Sequence, residues 1–260
     1  MSIGNETKIN KLLKDWPSGA VFLSSWLSNN GISSQLLNRY KKGQWLTSLG
    51  TGAVIRAGDK VDYHGALYAL QKQAGLSVHA GGRTALSLLG KAHYLEIAAA
   101  TVVLFGHEKE KLPAWFKTHD WTIKLDYYAT SFLPCDLGLV DLEFNNFSLK
   151  ISSPTRAMME CLYLVPKNQE LMECYELMEG LNNLRPQSVQ ELLEQCTSIK
   201  VKRLFMYLAE KVDHSWVKHL NMKKIKMGTG KRSLAKGGVY IDKYKITVPK
   251  ELEKNEKPNL

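Results

Sequence analysis

Residues Ser24–Arg56 read SSWLSNNGISSQLLNRYKKGQWLTSLGTGAVIR, and this stretch decides the fold. It predicts a short helix, a tight turn at Gly31, a second helix from Ser33 or Ser34, and a Gly-containing β-hairpin that ends in Arg56. That order is the grammar of a winged helix-turn-helix, which lays its second helix in the DNA major groove. A serine hydroxyl at the start of the second helix can accept from a backbone N–H that the first turn leaves free. Ile32, Leu36, Leu37 and Tyr40 recur at helical spacing and predict a face turned to the domain core. Ser34, Gln35, Asn38, Lys41 and Lys42 lie opposite them, with Arg39 on the flank. Asn and Gln amides pair bidentately with adenine edges, and Arg and Lys reach guanine or phosphate. Gly43 stops the helix, Trp45 opens a strand, and the Gly50-Thr51-Gly52 tip permits the positive φ of a tight hairpin. Thr51 at that tip and Arg56 at its base are placed to lean on phosphates. The competing reading is an amphipathic surface helix with a solvated polar face; the wing and the charge balance favour DNA.

Charge is localised. The 260 residues carry a net charge of +10. Residues 1–60 hold 8 Lys/Arg against 3 Asp/Glu, and residues 197–260 hold 16 against 6. Between them, residues 61–155 are near neutral, at 8 against 9, and residues 156–196 are acidic, at 3 against 7. Two basic zones flanking a neutral-to-acidic middle suit a polyanionic partner. In the second zone, Lys223, Lys224, Lys226, Lys231 and Arg232, with Lys200, Lys202, Arg203, Lys218 and Lys236, could form a further surface for DNA, RNA or a nucleotide. A merely solvated basic face is the other reading. Trp216, Tyr207 and Tyr240 are expected to pack, which argues against a stacking platform for single strands.

Around the motif, Thr7–Trp16 predicts a first helix, and Asp62 caps a helix that runs through Ala74. Gly81-Gly82 leads into a helix over Arg83–Leu89. Strands are expected at Thr101–Phe105 and Trp121–Tyr128, with a short helix over Leu112–His119 between them. Leu137–Phe144 and Phe147–Ser152 read as a hairpin closed by Asn145-Asn146. Helices follow over Pro154–Leu164, Gln169–Leu184, Ser188–Gln195 and Lys200–Leu220, then an alternating run over Val239–Val248 and a disordered end from Glu253. The fold class is α+β: an N-terminal winged helix-turn-helix domain with a helical extension, residues 1–95 with a core over 5–58, followed by a mixed α/β domain over 96–260.

No stretch approaches the run of roughly 18 or more apolar residues of a membrane span. The N-terminus lacks the apolar core of a secretory signal. Cys135, Cys161, Cys174 and Cys196 show no CxxC spacing and read as reduced packing residues of a cytoplasmic protein.

The chain resembles the AbiEi-type antitoxins, the regulator half of type IV toxin–antitoxin and abortive-infection modules. The resemblance is carried by LLKDWPSGAVFLSSWLSNNGISSQLLNRYKKGQWLTSLGTGAVIRAGD and DYHGALYALQKQ, and by VHAGGRTALSLLGKAHYL and KLPAWFKTHDW. KVKRLFMYLAEK and GTGKRSLAKGGVYIDKYKITVP extend it over nearly the whole chain. It implies a winged helix that represses its own operon on double-stranded operator DNA. It also implies a C-terminal domain that counters a nucleotidyltransferase toxin, AbiEii, without a stable complex. No catalytic residue, cofactor, metal or membrane association comes with it.

Enzyme readings find weaker support in the residues. Gly228-Thr229-Gly230-Lys231-Arg232 imitates a phosphate loop, but Ile225 stands where the first glycine belongs and Arg232 where Ser or Thr does. Asp141-Leu142-Glu143 has the carboxylate spacing of a nucleotidyltransferase, yet Tyr128-Ala129-Thr130-Ser131 upstream offers no Gly-Ser helix start. Asp136, Glu143 and Lys150 could gather around Mg²⁺ in a restriction-like nuclease, but Ser148 occupies the acid position before Lys150. A stand-alone, ligand-responsive transcription factor is the remaining alternative.

Overall fold

The computed structural model of the chain describes residues 8–91, 101–144, 147–235 and 237–254. Helix α1 (Lys8–Lys14) buries Ile9, and the following Trp16 turns its indole N–H onto the Ala20 carbonyl at 3.0 Å. Strand β1 (Phe22–Leu23) precedes helices α2 (Ser24–Asn29) and α3 (Ser34–Lys42) and the hairpin β2 (Leu46–Gly50) and β3 (Ala53–Arg56). Strand β1 pairs antiparallel with β3, Phe22 opposite Val54 and Leu23 opposite Ala53, so the wing is a three-stranded sheet in the order β1–β3–β2. Two residues are too few to show an alternation, and β1 is absent from the sequence reading for that reason.

Helix α4 (Tyr63–Tyr68) starts at Asp62, whose carboxylate accepts from the His64 and Gly65 amides. It runs on as a π-helical turn over Ala69–Gln73, which regular periodicity does not announce. Strand β4 (His79–Ala80) and helix α5 (Gly82–Leu88) lead to β5 (Thr101–Gly106), α6 (Ala114–Thr118) and β6 (Lys124–Ala129). The hairpin partners β7 (Leu139–Phe144) and β8 (Phe147–Ser152) complete a five-stranded sheet in the order β6–β5–β4–β8–β7. The Asn145-Asn146 turn expected between them lies outside the described residues.

Helices α7 (Pro154–Leu164), α8 (Leu171–Glu179), α9 (Pro186–Gln195) and α10 (Ile199–Lys211) follow. Helix α8 is shorter than expected because Gly180 caps it. The run expected as one helix to Leu220 ends at Lys211; Asp213 takes φ +59°, and Ser215–His219 forms a separate 3₁₀ turn. The alternating tail is also two strands. Strands β10 (Val239–Ile241) and β11 (Ile246–Val248) are antiparallel around a left-handed Lys245, and β11 pairs in parallel with β9 (Arg232–Ser233). Glu253, expected at the start of a disordered end, belongs to a final helix α11 (Lys250–Lys254).

The chain forms two compact units, each assembled from several stretches. The first comprises Met1–His79, Phe105–Ala129 and Asp141–Lys150; the second comprises Ala80–Leu104, Thr130–Val140 and Ile151–Leu260. The boundary expected between residues 95 and 96 lies outside the described residues. In the first unit Trp16 and Phe22 meet at 3.8 Å between ring centroids, over a core that includes Leu27, Leu37, Leu46, Val54 and Leu70. In the second, α7 packs against α5, α8, α9 and α10 and buries Met158, Cys161 and Leu162 completely. Cys174 and Cys196 are buried as well, whereas Cys135 is exposed and does not pack.

The second unit also buries charge. Glu160 is fully enclosed; its carboxylate takes the Arg156 Nε–H at 2.8 Å, the Ser152 hydroxyl at 2.7 Å and the Gly82 amide at 2.9 Å. The Arg156 guanidinium goes on to the carbonyls of Pro134 and Leu137. Both carboxylate oxygens of Glu160 therefore have partners, the condition under which a buried ion pair is tolerable.

Candidate nucleic-acid interface

The reading helix is set by local chemistry. Helix α2 ends as Asn30 and Gly31 return their amides to Trp26, Leu27 and Ser28, and Gly31 takes φ +84° with open space around it. That conformation costs a side-chain-bearing residue about 1–2 kcal/mol. Ser33, not Ser34, is the N-cap of α3, its hydroxyl accepting from the Leu36 amide at 3.2 Å. Ile32, Leu37 and Tyr40 are buried beneath the helix and Leu36 half-buried, as the spacing predicts. Burial pushes the Tyr40 hydroxyl up, against a smaller downward pull from the Arg39 guanidinium.

Gln35, Asn38, Arg39 and Lys42 are exposed, and the i,i+3 pairs Gln35/Asn38 and Arg39/Lys42 with the i,i+4 pairs Gln35/Arg39 and Asn38/Lys42 make them one stripe along α3. Ser34 is exposed at the first turn and Lys41 is half-buried on the flank. Among the described residues, no side chain of the stripe has a hydrogen-bond or ion-pair partner. A solvent-facing row of two amides and two cations, held at helical spacing by a buried opposite face, has the chemistry that reads base edges and phosphates.

The wing lies beside it in sequence and is firmly tied. Leu46 pairs with Arg56 and Ser48 with Val54, a register shift follows at Ser48–Gly50, and Gly50 pairs with Ala53. Thr51 and Gly52 form the tip, both exposed, with Gly52 at φ +87°. The Gly52 carbonyl accepts the Ser24 amide at 2.8 Å, which binds the tip to the start of α2. Gly50 serves packing rather than the turn: a Cβ there would lie 2.8 Å from Trp115 Cβ, because α6 rests against β2. Thr47 and Ser48 are exposed on β2, and Trp45 is half exposed over Gly43. Trp45, expected to open the strand, precedes it, since β2 starts at Leu46; Thr47 and Ser48 are not among the expected contacts, although a polar pair beside a buried Leu46 is a usable signal.

Arg56 has a different occupation from the one expected. Its guanidinium is half-buried and donates to the carbonyls of Leu13 and Trp16, the latter at 2.8 Å. It caps the end of α1, where carbonyls lack intrahelical partners. These bonds commit its Nη2 to the main chain of the first helix and the turn after it.

The second basic zone sorts into two sets. Lys223, Lys224, Lys226, Lys231 and Arg232 are exposed, the first two in a 3₁₀ turn and Arg232 in β9. Lys231 Nζ stands 5.1 Å from the centroid of the Tyr240 ring, which is exposed rather than packed as expected; Tyr207 and Trp216 are buried. Lys200, Lys202 and Arg203 are structural. Lys200 donates to the carbonyls of Tyr163 and Val165 at 2.6 Å, and Lys202 is buried. Arg203 is buried and bonds the carbonyls of Met227, Gly230 and Lys245. Lys236 lies outside the described residues.

Of the enzyme candidates, Lys150 pairs with Asp141 at 3.3 Å. Among the described residues no cluster of three or more His, Cys, Asp or Glu could hold a metal ion. No helix among them is long and apolar enough to cross a membrane.

Comparison with known proteins agrees with this layout. A family model described as "Transcriptional regulator, AbiEi antitoxin, Type IV TA system" matches residues 99–249. A companion model, "Transcriptional regulator, AbiEi antitoxin N-terminal domain", matches residues 5–97. Among solved structures the chain is similar to the RV2827C protein from Mycobacterium tuberculosis, with a TM-score of 0.58 and 12% identity over 92% of this chain and 88% of that one. At that identity the likeness is one of fold. None of the curated proteins matches the chain.

Proposed function

The chain belongs to the family of AbiEi antitoxins, transcriptional regulators of type IV toxin–antitoxin systems and not enzymes, and from that premise we propose that it represses its own operon by binding double-stranded operator DNA. The observation that carries this reading is the uncommitted stripe Gln35, Asn38, Arg39 and Lys42 on α3. Helix α3 enters the major groove, Gln35, Asn38 and Arg39 contact base edges, and Ser34, Lys41, Lys42 and Thr51 meet the backbone on either side. DNA reading is assigned to residues 1–95 and antitoxic action to residues 96–260. The functional partner is a nucleotidyltransferase toxin of the AbiEii type, countered in the cytoplasm without a stable complex. Lys223, Lys224, Lys226, Lys231 and Arg232 supply a second cationic surface for nucleic acid.

The test is a mobility-shift titration of the full chain on the promoter region of its own operon, against the triple variant Gln35→Ala, Asn38→Ala, Arg39→Ala. The variant should lose preference for the promoter over random duplex and keep the wild-type circular dichroism. Undiminished preference would remove α3 from base reading. Co-expression with the neighbouring open reading frame tests the antitoxin role: a harmless neighbour, or toxicity that the chain does not relieve, argues against it.

A further inference from the structure

Helix α6 does two things in the first unit. Trp115 presses on Gly50 of the wing strand, where the missing Cβ would lie 2.8 Å from Trp115 Cβ and 3.3 Å from its Cα. The next two residues, Phe116 and Lys117, line a cavity of about 380 Å³ together with His119, Trp121 and Tyr127. That volume is within the range of small-molecule sites, roughly 300–1,000 Å³.

The cavity is built rather than incidental. Trp121 donates its indole N–H to the Phe116 carbonyl at 2.8 Å, and its ring meets Phe116 at 5.4 Å and His119 edge-on at 4.3 Å. The aromatic wall is therefore locked to α6. The Tyr127 hydroxyl is buried and has no hydrogen-bond partner among the described residues; Gly106 leaves it room, since a Cβ there would stand 2.5 Å from it. Burial first, and then the Glu110 charge, push this phenol up to about 12, so it keeps its proton and remains an unused donor. Lys117 is exposed at the rim without a partner, while the Asp120 carboxylate accepts the Thr122 amide at 3.0 Å in its own turn.

We propose that this cavity is an effector site for a small planar aromatic anion, and that α6 transmits its occupancy to the wing through the contact of Trp115 with Gly50. The ring lies against the aromatic wall, and the anionic group takes Lys117 and His119. Trp115 packs directly against Gly50 of β2, so a displacement of α6 toward the strand is passed to the wing. An effector that binds one arrangement of α6 better than another then shifts the wing and, reciprocally, the affinity for DNA. This step rests on the reading that the wing and α3 meet the operator.

Isothermal titration of the full chain with a nucleoside monophosphate and, separately, with salicylate tests the site and tells its two sources apart. Hydrogen exchange of the Leu46–Arg56 amides, with and without each compound, tests the link to the wing. Saturable binding by at least one probe is expected, weakened about tenfold in Lys117→Ala/His119→Ala, with wing exchange altered in the wild type and, at the same probe concentration, less so in that variant. Operator affinity should change by about fivefold or more at saturation. Absence of binding below about 1 mM for both probes, binding that all these substitutions leave intact, or binding that leaves wing exchange unchanged would each overturn the proposal. A wild-type chain that ignores its operator would sink the DNA reading instead, because calorimetry and exchange need no DNA.

Discussion

Gln71 and Gln73, two residues apart in the π-helical turn after α4, each grip the main chain of a strand. Gln73 accepts the Leu23 amide at 2.8 Å and donates to the Val21 carbonyl at 3.0 Å, closing the free edge of β1. Gln71 accepts the Lys150 amide at 2.9 Å and donates to the carbonyls of Lys150 and Val78, at 2.9 and 2.8 Å. A side-chain amide carries a donor and an acceptor and so can imitate one residue of a neighbouring strand. An exposed strand edge is otherwise open to pairing with other chains. Replacing Gln73 with Ala leaves an amide and a carbonyl unpaired and should cost about 1–3 kcal/mol in denaturant unfolding. Exchange of the Leu23 amide should rise in the same variant, and an unchanged midpoint would show water to be an adequate substitute.

The two wing glycines should fail differently. Gly50→Ala forces a Cβ into Trp115 and should destabilise by about 1–3 kcal/mol, as overpacking does. Combined with Trp115→Gly, which removes the Cβ that the new methyl would meet at 2.8 Å, the clash is relieved, so the double variant should be less unstable than the two single losses together. Gly52→Ala meets open space but at φ +87°, so its cost of about 1–2 kcal/mol should be independent of residue 115. Chemical denaturation of the four variants decides it; additivity for Gly50 would dissociate α6 from the wing.

Arg39 and Arg56 separate recognition from folding. Arg39→Ala should leave the unfolding midpoint within about 0.5 kcal/mol of wild type and reduce promoter preference by a factor worth about 1–3 kcal/mol. Arg56→Ala frees the Leu13 and Trp16 carbonyls and should lower stability by about 1–3 kcal/mol while promoter preference, measured on the folded fraction, persists. Loss of preference with unchanged stability in Arg56→Ala would return that side chain to the interface.

Alkaline pH should weaken the fold. Tyr63 and Tyr127 are both pushed up to about 12, each by burial first and a neighbouring carboxylate second, from an ordinary value of 10.0. Between these limits the folded chain keeps phenolic protons that the unfolded chain has lost, so stability is full below pH 10.0 and falls as pH rises through about 12. Phenolate absorbance should show a late-titrating set of tyrosines that includes Tyr63 and Tyr127, and Tyr127→Phe should flatten the decline. A phenolate spectrum that titrates uniformly near the ordinary value would refute the buried environments.

In the second unit, Arg156→Ala leaves the enclosed Glu160 carboxylate without its guanidinium and should cost about 3–5 kcal/mol. Thermal unfolding measures it. A cost near zero would mean that the Ser152 hydroxyl and the Gly82 amide suffice to hold the charge.

The helix-turn-helix was legible because its signals are local. Ser33, Gly31 and the spacing of Ile32, Leu37 and Tyr40 act within a turn or two of chain. The π-helical glutamines were not legible, since their partners lie 52 and 79 residues away. Arg56 ends a hairpin strand, and alternation cannot tell a cation bound for solvent from one bound for the carbonyls of a distant helix. Charge counting failed in the same way for Lys200 and Arg203, whose side chains bond to main chain, and for Lys202, which is buried. Gly50 was credited to the turn because the helix that requires its bareness comes some sixty residues later in the chain. The stripe on α3 was found from spacing alone, whereas Thr47, Ser48 and the exposure of Trp45 emerged only with the wing's register.

A gene fragment ending near residue 95 would encode the reading helix and the hairpin yet omit the tryptophan that backs that hairpin and the strand held by Gln71. Such a fragment forfeits a buttress and a clasp, both supplied by sequence that the family's second model claims. A nonsense mutation or recombination breakpoint in the middle of this gene would thus weaken operator control and antitoxicity together, and the two roles would be inherited as one.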